Sequence, residues 1–131
     1  MKIFLFVLIL IGNFIYSQEP LRFKISKETC EAALLKRSGG NITKSELQKC
    51  DSLFLKGDCD LKIVSYQVTC CYPGHLKEII AFDVRFTSEI KSNFSKLDIG
   101  YRFFIEEIKV MDKNGLVYKL PDLTYKITQF P

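Results

Sequence analysis

Apolar and polar positions alternate most clearly between Ile99 and Ile127, where IGYRFFIEEIKVMDKNGLVYKLPDLTYKI reads as strand, tight turn, strand, proline break, strand. Tyr101, Phe103 and Ile105 alternate with polar residues, Val117 follows the turn, and Leu123, Tyr125 and Ile127 alternate after Pro121. Asn114-Gly115 between the β-rich runs predicts a type I′ hairpin, whose two central residues both need φ > 0. Within the first arm the apolar phase moves from odd (Phe103, Ile105) to even (Ile108, Val110) at Glu106-Glu107. A period-2 strand keeps both sets on one face only by inserting a residue, so a β-bulge is predicted there.

Upstream, Leu61 to Cys71 predicts a strand with Val64, Tyr66, Val68 and Cys70 on one face and Ser65, Gln67 and Thr69 on the other. Pro73-Gly74 predicts a turn, and Ile79 to Phe86 answers it with Ile80, Phe82, Val84 and Phe86 on one face and Asp83 and Arg85 opposite. Thr87 or Ser88 caps a helix whose stripe is Ile90, Phe94 and Leu97, ended by Gly100. Nearer the N-terminus, Leu21 to Ser26 alternates as a first strand. Lys27 to Arg37 is ambiguous, since Ala32 to Leu35 favour a helix but no capping box follows Ser26. Ser38-Gly39-Gly40-Asn41 breaks the chain, Thr43-x-x-Glu46 is a capping box for a helix over Lys44 to Lys49, Asp51 to Leu55 predicts a short strand, and Lys56-Gly57-Asp58 a turn. The expected fold is mainly β: an antiparallel β-sandwich or curled sheet with one or two short helices.

The length of 131 residues leaves room for one domain, and 11 Phe with 6 Tyr suit a β-rich core. Met1-Lys2, the apolar run Ile3 to Ile11 and the small residue Ser17 form a secretory signal peptide over residues 1–17, cut before Gln18. The alternative is an uncleaved anchor, but the run falls short of the ~20 residues a spanning helix needs. The domain is then 18–131, with no transmembrane segment after cleavage. The formal charge of +4 comes from basic residues interspersed with acidic ones. That distribution lacks the one-sided basic patch of a nucleic-acid binder.

Export makes the cysteines, Cys30, Cys50, Cys59, Cys70 and Cys71, disulfide candidates, and an odd number leaves at least one unpaired or paired between chains. On an extended strand Cys59 stands roughly 36 Å from Cys70, beyond the ~7 Å a disulfide spans. Cys59 must therefore look to Cys50 or Cys30. The expected pairs are Cys50–Cys59 and Cys30 with Cys70 or Cys71. Cys70 and Cys71 face opposite sides, with Cys71 the exposed one, free or linked to another chain.

Three stretches carry a family resemblance. SGGNITKSEL (Ser38 to Leu47) resembles a Gly-Gly-x-Ile-Ser-Lys opening, and DCDLKIVSYQV (Asp58 to Val68) resembles an "FDFDLKFKVVSFTV" strand. IGYRFFIEEIKV (Ile99 to Val110) with DKNG (Asp112 to Gly115) resembles a "G-x-x-v-y-f-e-d-I-k-a…p-d-G" ending. In this order they resemble the C-terminal domain of GldM, the periplasmic gliding-motility and type IX secretion protein of Bacteroidetes, over about residues 38–128. Cys59 departs from that pattern, standing where the family tends to have an aromatic residue. The resemblance implies a β domain in the periplasm that contacts envelope proteins.

The residues carry little catalytic chemistry. His75 is the only histidine, set in an exposed turn without an evident partner, and no Gly-x-Ser-x-Gly elbow is present. Asp58 and Asp60, and Glu106 and Glu107, are close in sequence but are read as solvated faces or a bulge rather than an acid–base pair. The cysteine gaps do not fit a zinc site, so no metal and no cofactor is expected. Asn41-Ile42-Thr43 and Asn93-Phe94-Ser95 match a glycosylation pattern but are read as helix-start and helix-face residues. The expected function is a non-enzymatic, exported protein-binding or scaffold domain, accessory to a gliding-motility or type IX secretion assembly. Its partners would be envelope proteins or a second copy. The alternative is a ligand- or glycan-binding module that uses Tyr72 or Tyr101.

Overall fold

The structure, a computed structural model, describes residues 30–57 and 59–130. The signal-peptide reading and the strand expected over Leu21 to Ser26 lie outside those residues, as does Asp58. The chain is mainly β, as expected, with two unequal sheets and two helices among the described residues. Its elements are β1 (Glu31–Ala33), β2 (Gly40–Thr43), α1 (Lys44–Gln48), β3 (Phe54–Lys56), β4 (Lys62–Tyr72), β5 (His75–Ala81), α2 (Ser88–Ser95), β6 (Arg102–Met111), β7 (Val117–Leu120) and β8 (Leu123–Thr128).

The six-stranded sheet runs β2-β8-β6-β4-β5, and β7 pairs with the far half of β6. Strand β6 meets β8 through Arg102 to Ile105 and β7 through Ile108 to Met111. The change of partner falls at the expected bulge, where Glu107 takes φ 49°. Phe103, Ile105, Ile108 and Val110 are all buried as a result. A second irregularity sits opposite, since Ile63 pairs with Val110 and Ser65 with Lys109, leaving an extra residue at Val64 on β4. Val64 is therefore exposed, while Tyr66, Val68 and Cys70 lie in the core. Its expected place on the core face is corrected by that bulge.

The hairpin after β6 differs from the two-residue type I′ turn expected at Asn114-Gly115. Only Gly115 has positive φ, at 85°. Gly115 N–H donates to Asp112 O at 3.1 Å, and Asp112 N–H donates to Leu116 O at 3.0 Å. This is a three-residue loop closed by a glycine bulge. Asp112 decides it: its carboxylate accepts from the N–H groups of Asn114 and Leu116 at 2.9 and 3.0 Å. Those bonds hold the Asp112 carboxyl below the usual range.

The type I′ geometry occurs instead at Leu35 and Lys36, with φ 49° and 68°, between Leu34 and Arg37. The helix propensity of Ala32 to Leu35 is overridden by tertiary contacts. Ala32, Ala33 and Leu34 are buried, and Leu34 N–H donates to the Tyr125 hydroxyl at 3.1 Å. Strand β1 pairs with β3 as a two-stranded ribbon. The capping box at Thr43 forms as expected, with Glu46 N–H donating to Thr43 Oγ1 and Thr43 N–H to Glu46.

One face of the six-stranded sheet is covered by α1, α2 and the segments around Leu34, Leu53 and Phe86. An unbroken aromatic chain fills the layer. Tyr66 meets Phe86, Phe86 meets Phe94, Phe94 meets Phe103, and Phe103 stacks on Tyr125 at 5.1 Å. Thr87 caps α2 and its stripe Ile90, Phe94 and Leu97 is buried, as the spacing predicts. No described element covers the other face of the sheet.

Candidate functional site

The two candidate surfaces both belong to the hairpin of β4 and β5. Pro73 presets its own φ and Gly74 accepts φ 82°, so the turn has two residues and Tyr72 faces His75. That closing pair fixes every later pair: Cys70 with Lys77, Val68 with Ile79, Tyr66 with Ala81. Because Tyr66, Val68 and Cys70 face the core, the core residues of β5 are Ile79 and Ala81. The expected core face of Ile80, Phe82 and Val84 is thereby corrected, and only Phe86 of that set is buried. Strand β5 stops at Ala81. The chain then bends so that Arg85 bridges to Ser52, Leu53 N–H donates to Val84 O, and Phe86 N–H donates to Asp51 O.

The first surface is the free edge of β5. In a two-residue hairpin the closing pair is hydrogen-bonded, so the backbone groups of Leu76, Glu78 and Ile80 point away from β4. Among the described residues no backbone hydrogen bond reaches β5 from that side. The side chains of Leu76, Glu78 and Ile80 share the outer face, and Phe82 follows past the end. Leu76, Ile80 and Phe82 are 61, 63 and 78% exposed. At the opposite edge of the sheet, Arg37 Nη1 donates to Asn41 O of β2 at 2.7 Å. Strand β5 has no such cover among the described residues.

The second surface is a cleft of about 690 Å³ where the inner face of the sheet runs past the core beside α2. Tyr72 and Tyr101 meet there edge to face at 6.4 Å, and His75 stacks on Tyr72 at 5.0 Å. Lys77, Glu89, Ser92 and Lys96 complete the walls. The Tyr72 hydroxyl donates toward Asn93 O and Oδ1, at 2.8 and 2.9 Å, while Asn93 Nδ2 donates to Glu89 O at 2.9 Å. Burial pushes the Tyr72 phenol up, with Cys70 adding to it. The structure thus brings together His75, Tyr72 and Tyr101, three residues the sequence picked out separately. His75 has a partner after all. Asn93, matched to a glycosylation pattern, is buried in this contact.

The cysteines do not fall as expected. Cys30 is bonded to Cys59, with Cα atoms 5.7 Å apart, and Cys50, Cys70 and Cys71 are free thiols. Cys50–Cys59 and Cys30 with Cys70 or Cys71 are both corrected. Pairing of β1 with β3 places Cys30 and Cys59 at one end of the ribbon, whereas Cys50 is buried with its thiol donating to Glu46 O. Burial, then Glu46, pushes the Cys50 thiol up to about 11, and burial raises Cys70 likewise to about 11. As expected, Cys70 faces the core and Cys71 the opposite side, but Cys71 is half-buried rather than exposed. No group of three metal-ligating side chains occurs among the described residues. Nor is any described helix long and apolar enough to cross a membrane.

The chain matches no family model and has no significant match among curated proteins. Glu106 and Glu107 separate as expected. Glu107 turns out of the strand to meet Lys119 at 2.9 Å.

Proposed function

We propose that this protein is an exported, non-enzymatic binding domain that takes an extended segment of an envelope protein onto the free edge of β5. The observation that carries it is the coincidence, on one edge, of unpaired backbone groups with the exposed side chains of Leu76, Ile80 and Phe82. Exposed apolar edges are aggregation hazards that folded proteins normally blunt with charge, proline or a covering segment. A strand added there gains main-chain hydrogen bonds, and its alternate side chains pack beside Leu76 and Ile80. Export is supported by the signal-peptide pattern and the Cys30–Cys59 disulfide. The GldM-like motifs supply the setting, a periplasmic role accessory to a gliding-motility or type IX secretion assembly. The test is chemical crosslinking in native envelopes followed by pull-down of C-terminally tagged protein, wild type beside Ile80→Lys. One specific crosslinked species, lost in Ile80→Lys while the fold is kept, supports the reading. The same species from both proteins rejects it.

A further inference from the structure

The cleft beside α2 has no part in strand addition, which uses the opposite face and the edge of β5. Its groups fall into two kinds. Tyr72 and Tyr101 form an aromatic corner, edge to face with His75 stacked on Tyr72, and the corner is held in place, since Asn93 spends its side-chain oxygen on the Tyr72 hydroxyl and its amide on Glu89 O. Lys77, Lys96 and Ser92 line the cleft around that corner. Among the described residues only Glu89 carries negative charge there, and it lies 3.9 Å from Lys77. The volume lies inside the ~300–1,000 Å³ of small-molecule sites.

We propose that this cleft binds a uronic-acid sugar, a pyranose ring that carries a carboxylate. The apolar C–H face of a pyranose suits one tyrosine ring of the corner, and its hydroxyls suit Ser92 and His75. A carboxylate at the ring edge suits the two lysines, because a charge-assisted bond from ammonium to carboxylate is about twice as strong as a neutral one. An inorganic anion would leave the tyrosines unused, and a neutral sugar would leave both lysines unused. The ligand is either a free sugar acid or a unit of an acidic polysaccharide. Glu89 faces the same carboxylate and competes for Lys77, so it weakens binding.

Calorimetric titration of the purified protein with galacturonate, trigalacturonate and galactose tests this. Galacturonate is expected to bind at least tenfold more tightly than galactose. Lys96→Gln, an exposed change that leaves the fold alone, weakens galacturonate about tenfold, Tyr101→Ala abolishes binding, and Glu89→Gln tightens it. A gain with the trimer assigns the polysaccharide as the source, and equal affinity assigns the free acid. The proposal is overturned by an absence of saturable binding, by equal affinity for galactose, by an unchanged Lys96→Gln, or by weaker binding in Glu89→Gln. None of these results bears on crosslinking at β5, so the two readings fail separately.

Discussion

Leu35 and Lys36 hold left-handed backbone, φ 49° and 68°, to turn β1 back toward β2. An L-residue with a Cβ pays roughly 1 kcal/mol for such a conformation. Lys36→Gly is therefore predicted to raise stability by about 0.5–1 kcal/mol, less than the full strain because glycine also loosens the unfolded chain. Chemical denaturation measures it, and an unchanged or lower midpoint would contradict it. Glu46 is the other residue on which this corner depends. The Arg37 guanidinium, then the Thr43 N–H, hold its carboxyl below the usual range. A carboxylate with a depressed folded pKa adds stability above its unfolded value, ~4.3, and that stability is lost as pH falls through the folded pKa. Stability of the wild type should thus fall more steeply below about pH 5 than that of Glu46→Gln. Equal slopes would contradict the pairing. Burial raises all three free thiols, but Cys71 should react with a maleimide before Cys50 and Cys70, because those two are buried and Cys71 is only half-buried. Mass spectrometry of the native protein reads the order.

Elements divide into those that local sequence determines and those that distant contacts determine. The helices were legible because their caps are local: Thr43 with Glu46, and Thr87 with the Ile90 N–H, both formed. The bulge at Glu107 was legible because only an inserted residue reconciles two apolar phases. The face of β5 was misread although the information was present. A two-residue turn at Pro73-Gly74 sets Val68 opposite Ile79, which contradicts a core face that includes Ile80. Apolar residues on both faces hid the phase. The disulfide was half legible, since strand length excludes Cys59 from Cys70 and Cys71. The choice of Cys30 over Cys50 depends on the β1–β3 pairing, which has no local signal because β1 lies in a stretch of helix propensity. The cleft was the least legible part, as Tyr72, Asn93 and Tyr101 meet only when α2 packs on the sheet. The ribbon of β1 and β3 leads to a prediction of its own: Cys59→Ser should cost about 2–4 kcal/mol, the usual worth of a bridge closing a loop of this length. The six-stranded sheet should survive it, as judged by far-ultraviolet circular dichroism. A loss of all β signal would show that the ribbon is integral to the sheet's stability.

At the scale of the whole molecule, the described residues cover one face of the sheet, leave the other uncovered, and give the sheet two different ends. At the β2 edge Arg37 donates to Asn41 O, and the proposed docking is at the other edge, β5. The aromatic layer from Tyr66 to Tyr125 packs beneath the sheet. The measurement that tests this most directly is Ile80→Pro in the same envelope crosslinking. The Ile80 N–H points to the free edge, so proline there removes a donor that strand addition needs and leaves the β4 ladder intact. The expected result is a protein with wild-type circular dichroism that no longer yields the specific crosslinked species. A folded Ile80→Pro protein that yields that species undiminished would contradict docking by strand addition at β5.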